Sequence, residues 1–324
     1  MIRFPRLAAA VLAALSFCAA GPAAAVYPEK PVRLIVPFPP GGGTDAAGRL
    51  IANALSAEMK QQVVVENRAG AAGSIGAQAV VDSAPDGYTL FFATTGAMAI
   101  NQHLYSNLRH NPVTDLTPIA MVASFPNVLV VHPNVPAKSV AEFIALAKSK
   151  PGGLTYGSSG SGSSSHLSAV LLEHMTGVKF THVPYKGAAP ATTDLLGGRV
   201  DFLIDNITTH SQLAKQGKTR ALGVTGTVPS PLLPGIPTIA QAGVPGYDVT
   251  IWYAIVGPKN LPVDIVNKVY ADLRAVMGTP KMKESLEALG TDPNIQPPAE
   301  LAKIIRAESE KWAVIVKAAG AKAD

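Results

Sequence analysis

A chain of 324 residues, 48% hydrophobic and 15% charged, has the composition of packed globular structure and is long enough for two ordinary domains, not that of a disordered segment. Its formal net charge of +5 is spread without a Lys/Arg cluster, and aromatic residues make up only 6%, which argues against nucleic-acid binding. A mild positive balance suits a small acidic ligand.

Residues 1–25 read as an export signal, removed before folding. Arg3 and Arg6 supply a positive start, residues 7–20 an apolar stretch too short to span a bilayer comfortably, and Ala23-Ala24-Ala25 a small-residue cleavage site. Cys18 is the single cysteine, and Phe17 before it is bulkier than a lipidation site tolerates. Cleavage near Ala25 leaves a cysteine-free chain of net charge +5 − 2 = +3, indifferent to an oxidising compartment.

Residues 32–38 form an apolar run that predicts a buried strand, stopped by Pro39 and Pro40, which cannot donate to a ladder. Gly41, Gly42 and Gly43 follow, and Thr44 or Asp45 is expected to cap a helix carrying Ala47, Leu50, Ile51, Ala54 and Leu55 on one face. Strand, bare glycine loop and helix N-terminus make an anion cradle. It lacks the Gly-Lys-Ser/Thr ending of a P-loop and the glycine spacing of a dinucleotide site.

Strands at 63–66 and 88–93, with helices at 73–83 and 100–105, continue a βαβαβα pattern that implies a parallel sheet. Thr94-Thr95-Gly96 adds hydroxyls to another strand-to-helix loop. Residues 116–131 are long for one strand and read as a crossing into a second domain. That domain has its own βα series, with helices at 137–148, 166–175, 188–196 and 209–216 and strands at 154–156, 180–183, 200–204 and 220–225. After a Pro- and Gly-rich loop at 229–245, residues 249–256 look like a return strand, and two amphipathic helices at 262–277 and 298–316 close the chain. This describes an α/β protein of two lobes: 26–124 with 250–324, and 125–249.

The loop at 157–165 repeats the first cradle with hydroxyls added. Ser158, Ser159, Gly160, Ser161, Ser163, Ser164 and Ser165 precede a helix starting near His166, whose N-terminus favours an anion. It contains no Gly-x-Ser-x-Gly, so a hydrolase elbow is disfavoured. His166 reads as a cap or loop contact, and His166, His174 and His182 lack the spacing and company of a metal site. Trp252 and Tyr253 read as core or hinge packing. Asp205, at a strand end with Asn206, is expected either to meet a ligand amine or to cap the next helix; with no second acidic residue beside it, a plain carboxylic acid is favoured as ligand.

The chain resembles the extracytoplasmic receptors of the tripartite tricarboxylate transporters, the Bug receptors. The resemblance covers nearly the whole mature chain. Its marks are residues 27–38 with Pro40-Gly41-Gly42-Gly43-Thr44-Asp45, then Val65-Glu66-Asn67-Arg68-Ala69-Gly70-Ala71-Ala72-Gly73 and Pro85-Asp86-Gly87-Tyr88-Thr89-Leu90. Further on come Tyr156-Gly157-Ser158-Ser159-Gly160, Val183-Pro184-Tyr185-Lys186-Gly187, Gly197-Gly198-Arg199-Val200-Asp201 and Pro234-Gly235-Ile236-Pro237-Thr238. Gly48 stands where such receptors commonly have alanine.

The resemblance implies a Venus flytrap fold in the periplasm, no cofactor, no catalysis, and capture of a small organic acid by a monomer that delivers it to a membrane permease. It implies that one ligand carboxylate is held by residues 38–45, from Phe38 and Pro40 onward, and residues 158–166. Thr94, Thr95 and Asp205 are added from their places at strand ends. The alternatives are a binding protein that reports to a membrane sensor kinase, and an enzyme on a similar acid; for the latter no base–nucleophile pair, metal cluster or cofactor motif is visible.

Overall fold

The computed structural model describes residues 27–322, so the expected export signal lies outside the described residues. The first lobe begins with β1 (Val32–Val36), α1 (Gly43–Met59), β2 (Val63–Asn67), α2 (Ser74–Val81) and β3 (Thr89–Thr94). β1 pairs in parallel with β2 and β3, as the alternating pattern requires. A π-helical turn, Gly96–Ile100, runs into the short α3 (Asn101–Leu104).

β4 (Leu116–Val131) is a single strand of 16 residues, about 50 Å long at ordinary rise, and so is both strand and crossing. Its first part pairs antiparallel with β9 (Thr250–Pro258), and its second with β7 (Phe202–Asn206) and β8 (Arg220–Val224). Between them lie α4 (Val140–Ser149), β5 (Leu154–Ser158), α5 (Ser164–Thr176), β6 (Phe180–Pro184), α6 (Ala188–Leu196) and α7 (Ile207–Lys215). The strand order is β2-β1-β3-β9-β4-β7-β5-β6.

This order decides where a ligand can sit. β1, β2 and β3 run in the sense of β4, because two antiparallel steps through β9 restore it. β7 is antiparallel to β4, and β5 and β6 follow β7. The two sets of strands therefore point their carboxyl ends at each other across the middle of β4. Every βα loop of either set, and the helix N-terminus behind it, faces the gap between lobes.

Three expectations need correction. The chain closes with three helices, not two: α8 (Val263–Met277), α9 (Pro280–Ala288) and α10 (Pro298–Ala319). A tenth strand, β10 (Asp292–Gln296), pairs with β4 between the last two. Neither Thr44 nor Asp45 caps α1, which starts at Gly43 behind Gly42 with no side-chain cap. Gly48 lets α1 sit close on the sheet: a Cβ there would lie 2.9 Å from Val36 Cγ2. Trp312 of α10 is 1% exposed, and Leu301 and Ile305 share an apolar cluster with Met98 and Trp252. The last helix thus clamps the first lobe.

Candidate functional site

The two lobes meet around a cleft of about 760 Å³, including its open mouth. Of the residues singled out from sequence, Phe38, Pro40, Gly42, Gly43, Thr44, Thr94, Ser159, Ser163, Ser164 and Asp205 line it. Gly41, Asp45, Thr95, Ser158, Gly160, Ser165 and His166 stand outside its lining and hold the loops from behind.

In the first lobe the holder is Asp45. Its Oδ2 accepts from Gly41 N and Arg49 Nε, both at 3.0 Å, and its Oδ1 from Asn67 Nδ2 at 2.8 Å. Burial pushes this carboxyl up, but the bonds from Arg49, Asn67 and Gly41 outweigh it and hold it below the usual carboxylate range. Gly41, at φ +92, makes the turn that only glycine makes cheaply. The N–H groups of Gly42, Gly43 and Thr44 have no partner among the described residues and form the positive end of α1. Thr95 is tied elsewhere: its Oγ1 accepts from Trp252 N at 2.9 Å.

In the second lobe the serines mostly serve each other. Ser163 Oγ donates to Gly160 O at 2.6 Å, which uses its one proton. Ser165 Oγ lies 2.9 Å from both Ser163 Oγ and Ser159 Oγ and accepts from Ser159 N. With the Ser163 proton committed, Ser165 donates to Ser163 and Ser159 donates to Ser165. No proton of this trio is left for a ligand. Ser158 Oγ bonds His182 Nε2 at 2.6 Å, and His166 Nδ1 accepts from Gly162 N at 3.1 Å. His166 and His182 stack at 4.2 Å. Burial, then the neighbouring His182, pushes His166 down to about 3, and burial pushes His182 down to about 4. Both are neutral supports, not bases. The donor that remains is Ser164, whose N–H and Oγ make no hydrogen bond among the described residues and which lines the cleft.

Sequence reasoning missed a third helix end and several lining residues. Lys186, Gly187, Ala188 and Ala189 bring the uncapped N-terminus of α6 to the cleft. Asn127, Phe125, Ile251 and Tyr253 line its floor from the two crossing strands. Tyr253 does pack in the core, against Phe92 and Phe125, but its hydroxyl also lies 3.1 Å from Thr44 Oγ1 and accepts from Asn206 Nδ2 at 3.2 Å. One phenol therefore joins both lobes. Tyr105 Oη donates to Ser161 O at 2.5 Å, and a Cβ on Gly96 would lie 3.1 Å from Gly162 O, so the lobes are in contact at the rim as well.

Asp205 is 4% exposed. Its Oδ1 accepts from Asn206 N at 2.7 Å, and its Oδ2 has no partner among the described residues. Burial drives its carboxyl up to about 6.

Three helix N-termini from two lobes thus bring their positive ends to one cleft. A family model for the tripartite tricarboxylate transporter family receptor matches residues 47–321. The chain belongs to this receptor family. It is 36% identical over 305 residues to the protein BugT of Bordetella pertussis, covering 94% of each chain. A solved R. palustris protein with adipate is 39% identical, with a TM-score of 0.87 over 91% of this chain and 98% of that one. MatC from Rhodopseudomonas palustris with bound malate is 31% identical, with a TM-score of 0.85 over 90% and 100%. The receptor has the two-lobed fold of these periplasmic solute-binding proteins.

Proposed function

We propose that the chain is a periplasmic receptor that closes its lobes on a small carboxylate and passes it to a tripartite tricarboxylate-type membrane transporter. The observation that carries this reading is the meeting of three helix N-termini at one cleft: α1 from one lobe and α6 from the other, both without a side-chain cap, and α5, capped by Ser163 Oγ on His166 N but with Ser164 N–H still free. A carboxylate accepting from several oriented N–H groups is held without a dedicated cation. The adipate and malate of the solved relatives are carboxylates of the size such a cleft admits.

In this reading residues 26–124 and 250–324 move as one lobe and residues 125–249 as the other, bending where β4 and β9 cross. The receptor acts as a single copy and carries out no reaction. Ligand draws the lobes together only by the affinity difference between closed and open forms. A thermal-shift panel of organic acids and amino acids tests the reading: a ligand at 100 times its dissociation constant should stabilise by about 2.7 kcal/mol. Small-angle scattering of the best hit should show a smaller radius of gyration. A panel in which no carboxylate stabilises the protein would contradict the reading.

A further inference from the structure

We propose that Asp205 is a specificity-determining residue that pairs with an ammonium group of the ligand, so that the receptor's ligand is an amino acid, not a plain carboxylic acid. The inference rests on the carboxylate-receptor reading and names the class of carboxylate. Among the described residues, Asp205 is the one carboxylate in the cleft lining, and Lys186 the one ammonium. Lys186 is exposed, whereas Asp205 lies at the floor as the penultimate residue of strand β7.

Three ligand chemistries can be weighed against that floor. A second carboxylate would bring like charges together where water is excluded, so one of them must take up a proton. An apolar end would leave Oδ2 unpaired and remove it further from solvent. An ammonium gives Oδ2 its missing donor and its counter-charge together. Asn127 Oδ1 is another buried acceptor in the lining without a partner among the described residues. Ammonium donates several hydrogen bonds and accepts none, so it matches orphaned acceptors, while the opposed helix ends match the ligand's carboxylate. The raised carboxyl of Asp205, at about 6, fits a group that has lost its hydration and gained no cation. The absence of a second acidic residue is no objection, because uncharged oxygens can complete an ammonium site. With a zwitterion bound, the charges of Asp205, Lys186 and the ligand sum to zero.

The test is calorimetric titration with matched ligands: succinate, malate and aspartate, and adipate against 2-aminoadipate. Each set changes only the group added to a dicarboxylate frame. Wild type should bind the amino member about tenfold or more tighter than its plain partner, and malate should not match aspartate. Asp205→Asn, nearly the same in shape, should lose that preference while still binding the plain members. Equal or tighter binding of the plain members by wild type would overturn the inference and leave the carboxylate reading standing. Malate equalling aspartate would overturn the charge pairing, as would a preference unchanged in Asp205→Asn. Neutral amino acids paired with their deaminated acids, leucine against 4-methylpentanoate and phenylalanine against 3-phenylpropanoate, extend the series, and failure of every member of the extended series to bind would overturn both readings. If Asp205→Asn does not fold, the wild-type series decides alone.

Discussion

The two lobes each carry a buried aspartate beside the cleft, and the pair behaves in opposite ways. Asp45, 5% exposed, is surrounded by donors and held ionised. Asp205, 4% exposed, has one backbone donor and a carboxyl pushed up to about 6. The surrounding loops differ in the same sense. The glycine loop leaves its own N–H groups bare because Asp45 and Gly41 fix its shape, while the serine loop uses its hydroxyls to fix itself. Two carboxylates equally hidden from solvent thus serve rigidity in one place and leave recognition open in the other, and what separates them is the greater depth of Asp205 together with the fewer hydrogen bonds it receives.

The largest effect expected from this contrast is on stability against pH. The folded-state value for Asp205 lies above its ordinary 3.8, so its contribution is present below about pH 4 and is lost as pH rises through about 6. Asp205→Asn should therefore gain on wild type as pH rises from 3.5 to 7, by up to about 3 kcal/mol. Asp45 has a lowered value, so its contribution is present above the ordinary range and lost as pH falls below it. Asp45→Asn should lose stability relative to wild type at pH 7, and lose less near pH 3. His166, His182 and His210, all pushed down mainly by burial, stabilise at high pH, but they are common to each pair and cancel. Urea denaturation at both pH values checks the signs, and parallel slopes for the two variants would break the comparison.

Smaller effects separate holders from donors. Ser165→Ala removes the centre of the serine trio and leaves Ser159 N unpaired, which should lower ligand-free stability by about 2 kcal/mol. Ser164→Ala and Gly42→Pro each remove a free donor, the latter at a φ of −90 close to that of proline. Each should weaken carboxylate binding by about 1.5 kcal/mol in calorimetry, with the melting temperature of the free protein nearly unchanged. Thr44→Val loses only the contact to Tyr253 and should weaken binding by about 0.5–1 kcal/mol. Binding losses in Ser165→Ala without a stability loss would contradict the division.

Much of the architecture was legible in the sequence, because apolar runs, Pro-Gly stops and helical faces are local signals. α9 and β10 were not: residues 280–288 are short and charged, and Asp292-Pro293-Asn294-Ile295-Gln296 is a polar strand formed only by pairing with β4. The glycine and serine loops announced themselves by composition, but composition does not say where a hydroxyl proton goes. Ser158 and Ser164 look alike in the chain, and only the folded loop distinguishes a support from a free donor. Asn127 and Tyr253 reach the cleft through pairings such as Thr94 with Tyr253 and Asn127 with Asn206, between residues far apart in sequence. An apolar strand such as β9 reads the same whether its residues face a core or a ligand.

The central claim is that opposed helix ends from both lobes hold one carboxylate. An amide proton–nitrogen titration by NMR, using the strongest carboxylate from the thermal panel, tests it most directly. The account predicts that the Gly42, Gly43, Ser164 and Ala188 amides shift together along one saturation curve. Shifts confined to one lobe, or centred on the separate groove lined by Arg68, Gln78 and His110, would contradict it.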